Sequence, residues 1–216
     1  MTPPILFDMD GIVLEGPRTP QEVYASAAHD ALSELEVEPT VEQRRDFERH
    51  DLETIANRCD ELEIDPARFW DLRERYASER THDRIQSGDR GRYDDVDAIG
   101  DLARHTTIAL VTNNRHRTAT FVDDHFGLEF DAVRGRDPTF EGFRRRKPDP
   151  YYIEETLVEL GTDEGIYVGD SESDVVAGRA AGLETAFVRR PHNADLECSV
   201  EATYEIESLR ELLELV

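Results

Sequence analysis

The chain opens on a three-residue apolar run, Ile5 to Phe7, that follows Pro3-Pro4 and stops at Asp8, with Gly11 just beyond. A short unbroken apolar run between turn residues is the pattern of a strand buried on both faces. The pattern recurs at Ile108–Thr112 and Ile166–Val168, and more weakly at Ala132-Val133 and Ala186–Val188. Between these runs the apolar positions fall every three or four residues: Val96, Ile99, Leu102 and Ala103; then Thr118, Phe121, Val122, His125 and Phe126; then Ile153, Leu157 and Leu160. That period predicts amphipathic helices. Strands alternating with helices of this length predict an α/β fold built on a doubly wound, Rossmann-like parallel sheet. Ile206, Leu209, Leu212, Leu213 and Val216 predict a closing helix.

Residues 17–90 break the alternation. They hold no strand pattern and three helical ones: Tyr24 to Leu35, Leu52 to Leu62, and Phe69 to Tyr76, the last preceded by Asp65-Pro66. An aspartate followed by proline is a good helix start. The prediction is an all-helical module, 17–90, inserted into an α/β core of 1–16 and 91–216, with linkers at 15–20 and 86–93.

Charge changes the picture of the surface. The 216 residues carry a formal net charge of −24, and only one of the 25 basic residues is a lysine. Such a surface repels nucleic acid and anionic membranes, so neither is an expected partner. In molar salt the screening length shrinks to roughly 3 Å and the self-repulsion fades. The balance resembles that of proteins from salt-loving organisms with a salt-filled cytoplasm. Two cysteines, Cys59 and Cys198, make no disulfide framework and fit a reducing, cytoplasmic setting. No run approaches the ~20 apolar residues of a membrane span, and the start of the chain has no signal-peptide pattern. A monomer or a small homo-oligomer both fit.

The candidate chemistry lies at the strand ends. Asp8-Met9-Asp10-Gly11 puts two carboxylates where open parallel sheets bind ligands. Clustered buried carboxylates need a cation or protons to neutralise them, and a magnesium ion, Mg2+, takes oxygen ligands. Taken alone, the pair also fits two solvated turn residues. Gly169-Asp170-Ser171-Glu172-Ser173-Asp174 again sets carboxylates directly after a strand. Helix capping accounts for Ser171 or Asp174 but less well for Asp170. Thr112-Asn113-Asn114 offers a hydroxyl and backbone N–H groups for phosphate oxygens, or simply a helix cap. Lys147, the lone lysine, stands before Pro148-Asp149-Pro150 in a chain that otherwise uses arginine. Its position therefore points to a need for a compact, flexible ammonium.

Together these four segments resemble the haloacid dehalogenase-like hydrolase superfamily. Asp8-Met9-Asp10-Gly11 is similar to its first motif, Thr112-Asn113 to its second, Lys147-Pro148 to its third, and Gly169-Asp170-Ser171 with Asp174 to its fourth. The helical insert and Ala177-Gly178-Arg179-Ala180-Ala181-Gly182 resemble the phosphoglycolate phosphatase and β-phosphoglucomutase branch, with its C1-type cap. The resemblance implies a Mg2+-dependent phosphomonoesterase acting on a small-molecule phosphate ester. Asp8 is then the nucleophile and Asp10 the proton-transfer group. Thr112, Asn113 and Lys147 bind the phosphoryl oxygens, with Thr112 and Lys147 counted in the catalytic set. Asp8, Asp10 (through its backbone carbonyl) and Asp170 hold the metal, and Asp174 supports it through water or by bonding to the groups that hold it.

Asp10 argues against carbon–halogen chemistry, because the dehalogenases proper lack that second aspartate. The cap has no lysine for a Schiff base, which excludes a phosphonoacetaldehyde hydrolase route. A β-phosphoglucomutase has a cap histidine soon after the first motif; here Pro20 stands near that place and the first histidine is His29. The mutase remains the alternative reading, followed by a phosphoacceptor switch domain and an inactive phosphate-binding protein of the same fold.

Overall fold

The computed structural model describes residues 2–16 and 18–216. The chain runs β1 (Ile5–Phe7), α1 (Gln21–Glu34), α2 (Val41–Phe47), α3 (Leu52–Glu61), α4 (Pro66–Gln86), α5 (Asp97–Leu102) and β2 (Ile108–Arg115). It continues through α6 (His116–Phe126), β3 (Ala132–Arg136), α7 (Phe140–Arg144), α8 (Tyr151–Leu160), β4 (Ile166–Gly169), α9 (Glu172–Ala180), β5 (Glu184–Val188) and β6 (Tyr204–Ile206). A 3-10 helix, Leu209–Glu214, closes the chain. Two compact units result: one of 1–18, 90–136 and 145–216, the other of 19–89 and 137–144.

The first unit is an α/β fold around a six-stranded sheet of order β3-β2-β1-β4-β5-β6, with every pairing parallel. Ile5, Leu6 and Phe7 pair with Ile108–Leu110 on one side and Ile166–Val168 on the other. All three are fully buried, because a central parallel strand is covered on both faces. One face of the sheet packs Leu6, Val111 and Tyr167 against Tyr152, Ile153 and Leu157 of α8. Strand order reverses between β1 and β4, so the residues leaving those two strands face the crevice where such sheets bind ligands.

The second unit is all-helical around Leu32, Phe47, Ile55, Phe69 and Trp70. Its α4 starts as the Asp65-Pro66 pair predicts, with Asp65 Oδ1 accepting from the Ala67 N–H at 3.0 Å. Among the described residues of 17–90 four helices stand rather than the expected three; α2 escapes the pattern because only Phe47 of its seven residues is buried. Residues 137–144 belong with the helical unit, since Phe140 and Phe143 pack edge-on against Trp70 at 4.9 and 5.2 Å. The expected closing helix is instead β6 plus a 3-10 turn, because Ile206 pairs beside Val188 in the sheet.

Burial pushes the Cys59 thiol up to about 12, so it is an inert core group. No helix among the described residues is long and apolar enough to cross a membrane. The helical unit holds the chain's single tryptophan, so its unfolding can be followed by fluorescence. Phe143→Ala is expected to cost that unit about 3 kcal/mol in denaturant unfolding. A loss below about 1 kcal/mol would mean that 137–144 contributes nothing to its core.

Candidate active site

Three chain segments converge where β1, β2 and β4 end. Asp8 leaves β1 with its N–H bonded to the Val168 carbonyl at 2.9 Å, which ties the first motif to the neighbouring strand. Asp170 leaves β4 directly opposite. The sequence permits that approach only because Gly11 has no side chain. A Cβ at Gly11 would lie 1.8 Å from Asp170 Oδ2, and its φ of +83° suits glycine. Asp174 sits in the first turn of α9, where its Oδ2 accepts from the Ser171 N–H at 3.0 Å and the Ser171 hydroxyl at 2.5 Å. The capping role and the site role thus fall on one side chain.

Lys147 lies at the centre of the cluster. Its Nζ is 2.8 Å from Asp8 Oδ1 and 2.6 Å from Asp174 Oδ1, and it donates to the Tyr167 hydroxyl at 2.6 Å. Tyr167 passes the bond on to the Val111 carbonyl at 2.6 Å. Asn113 fixes the lysine backbone at two points, accepting from its N–H at 2.7 Å and donating to its carbonyl at 3.1 Å. Thr112 is buried, and its Oγ1 accepts from the Asn114 N–H at 3.2 Å.

Asp10 lies apart from that lysine. Its Oδ2 accepts from Asn114 Nδ2 at 3.0 Å and its Oδ1 is 2.8 Å from Arg90 Nη1. Arg90 also donates to the carbonyls of Glu15 and Gly16 at 2.8 and 3.1 Å. The carboxylates brought together are Asp8, Asp170 and Asp174, each offering one oxygen within 4.8 Å of the others. Asp174, which the resemblance keeps one step back from the metal, therefore stands in the group itself.

The electrostatics follow from burial. Desolvation is the main cause that pushes Asp8 up to about 6; Asp174 and Asp10 add to it, while Lys147 opposes it. Desolvation likewise pushes Asp170 up to about 8, reinforced by Asp174 and Asp8. Burial alone would weaken the Lys147 ammonium, but Asp174 and Asp8 hold it well above the ordinary range. One ammonium does not balance three buried carboxylates, so the cluster has room, electrostatically, for a further cation. An all-oxygen donor set of this kind fits Mg2+ better than a softer metal.

Several neighbours escape sequence reading. Asn114 carries only a weak cap signal, Arg90 lies in a charged linker, and Tyr167 is one more apolar position in a strand. His192, one of seven scattered histidines, places Nε2 2.5 Å from Asp170 Oδ2. Only the Arg-Pro-His-Asn run after β5 hints at a turn there.

Comparison with known proteins accords with this geometry. The profile of the family described as haloacid dehalogenase-like hydrolase matches residues 5–188. The pyrophosphatase PpaX of Oceanobacillus iheyensis is 24% identical over 98% of this chain and 95% of its own. A phosphoglycolate phosphatase of Mesorhizobium japonicum is 28% identical over 86% of this chain and 82% of its own. Among solved structures, CbbY from Rhodobacter sphaeroides in complex with phosphate superposes with a TM-score of 0.67 at 22% identity, covering 98% and 96% of the two chains. At that identity the likeness speaks for the fold alone.

A testable consequence concerns the metal-free protein. Both Asp8 and Asp170 bind protons more tightly folded than unfolded, so the stability they supply is fully present below about pH 4 and is lost as pH rises through about 6 and then about 8. With chelator present, and molar KCl to screen the surface, the thermal midpoint should fall across that window. Asp170→Asn should flatten the upper half of the fall. A midpoint that holds steady or rises between pH 5 and 8 would contradict the charge excess.

Proposed function

The chain belongs to the haloacid dehalogenase-like hydrolases, and on that premise we propose that it is a Mg2+-dependent phosphatase of small phosphate esters that works through a phospho-Asp8 intermediate. The observation that carries the reading is Lys147, held between Asp8 and Asp174 beside a cluster of three carboxylates.

In the first step an Asp8 carboxylate oxygen attacks phosphorus, the bond from phosphorus to the ester oxygen breaks, and Asp10 gives its proton to the departing alcohol. In the second, Asp10 takes a proton from water as that water attacks the phospho-Asp8 phosphorus, releasing phosphate and restoring the Asp8 carboxylate. Lys147 keeps Asp8 ionised in a buried site and lies beside the oxygens on which charge spreads. Thr112 and the Asn113 N–H are the neutral donors to those oxygens. Asn114 and Arg90 hold Asp10 by both carboxylate oxygens, which sets its orientation before the proton moves. Asp8, Asp170 and the Asp10 carbonyl would hold Mg2+, with Asp174 in support, and the bound ion would supply charge neutralisation for the transferring group.

The named relatives favour compact, highly charged phosphates, phosphoglycolate or pyrophosphate, as substrates. The acidic surface favours a cytoplasm rich in salt. The test is phosphate release over a panel of phosphoesters and pyrophosphate, in molar KCl, with and without Mg2+. Turnover on a subset of the panel that disappears with chelator is expected, and Asp8→Asn should lower it by more than ~10³-fold. An Asp8→Asn protein that keeps a tenth of the activity would end the covalent route.

A further inference from the structure

We propose that His192 is a positioning residue for Asp170, holding that carboxylate in the orientation a divalent cation requires; the inference rests on the metal reading given above. After β5 the chain runs Arg189-Arg190-Pro191-His192-Asn193, and its fixed points lie on either side of the histidine. Asn193 is buried, and its Nδ2 donates to the Asp170 carbonyl at 2.7 Å and the Val188 carbonyl at 3.0 Å. Its Oδ1 accepts from the Arg190 N–H at 2.7 Å. Arg190 in turn is gripped by both oxygens of Asp95, at 2.9 and 3.0 Å, and donates to the Gly11 carbonyl at 3.2 Å. The imidazole therefore arrives from a segment tied to the Asp170 backbone and to the turn after Asp10.

Its contact with Asp170 has a single chemical sense when that carboxylate is ionised. A carboxylate only accepts, so Nε2 carries the hydrogen and donates it to Oδ2. Among the described residues no other side chain hydrogen-bonds the Asp170 carboxylate. Asp174 is held by Ser171 and Lys147, and Asp8 by Lys147. Asp170, like Asp8, therefore has one side-chain partner, and its rotation about its side-chain bonds depends on the imidazole. Partners of this kind, one bond removed from a metal, set ligand orientation and are worth 10–100-fold in affinity.

The experiment is a Mg2+ titration of chelator-treated, full-length protein in molar KCl, read by the thermal midpoint, on wild type, His192→Ala and His192→Gln. His192→Ala should bind Mg2+ about 10–100-fold more weakly. Its metal-free midpoint should stay near that of wild type, and turnover should largely return at saturating Mg2+. His192→Gln, which keeps an N–H donor, should regain most of the affinity. A His192→Ala affinity within twofold of wild type overturns the inference and leaves the proposed function standing. A wild-type midpoint indifferent to Mg2+ overturns both. If the alanine variant fails to fold, His192→Gln is set against His192→Leu, of similar size without the donor, and equal affinities overturn the proposal.

Discussion

A single buried ammonium holds the crevice together. Lys147 touches Asp8, Asp174 and Tyr167, and three carboxylates crowd within reach of one another around it. Two like charges so placed in a low-dielectric site raise each other's proton affinity, and a third makes the deficit of positive charge plain. The surrounding structure is arranged to sustain that arrangement. Asn113 clamps the lysine backbone, Tyr167 braces its head group, and Gly11 gives up a side chain so that Asp170 can close in. A site built at this electrostatic cost has a use for the charge it lacks. On the proposed function, a metal ion and a phosphoryl group, one cationic and one anionic, would satisfy the carboxylates and the lysine together.

Much of this was legible in the sequence because the chemistry sits at the ends of the most recognisable elements. Buried parallel strands read as plain apolar runs, and Asp8, Thr112 and Asp170 are placed by their relation to those runs. The lone lysine stood out because arginine replaces lysine everywhere else. What sequence could not supply were contacts between residues far apart in the chain. Arg90 and Asp10 are brought together across the whole helical insert, and Arg90 looks like any other charge in a polar linker. His192 is brought to Asp170 by the bonds of the Asn193 side chain to the Asp170 and Val188 carbonyls, which no spacing rule encodes. The misread elements have a common cause as well. Helix α2 and the 140–144 helix are short and gain their burial from one or two aromatic residues, too few to set a period.

Family membership reaches the fold before it reaches the substrate. On the proposed mechanism the strand-end residues carry the reaction, whereas the substrate is chosen by side chains with no motif to announce them. Chains named for pyrophosphate and for phosphoglycolate both match this one over most of its length. Those two substrates share a compact phosphoryl group next to further negative charge. On the proposed mechanism, discrimination between them would turn on where the second charge is met rather than on the chemistry at Asp8.

On the proposed mechanism Asp8 becomes phosphorylated. The most direct measurement is to quench the protein in acid during turnover of a substrate from the phosphoester panel, digest it, and map the added mass. The prediction is one phosphoryl group on the peptide containing Asp8, assigned to that residue by fragmentation and absent when Mg2+ is withheld. Rapid turnover with no phosphorylated peptide, or with the label on a residue other than Asp8, would contradict it.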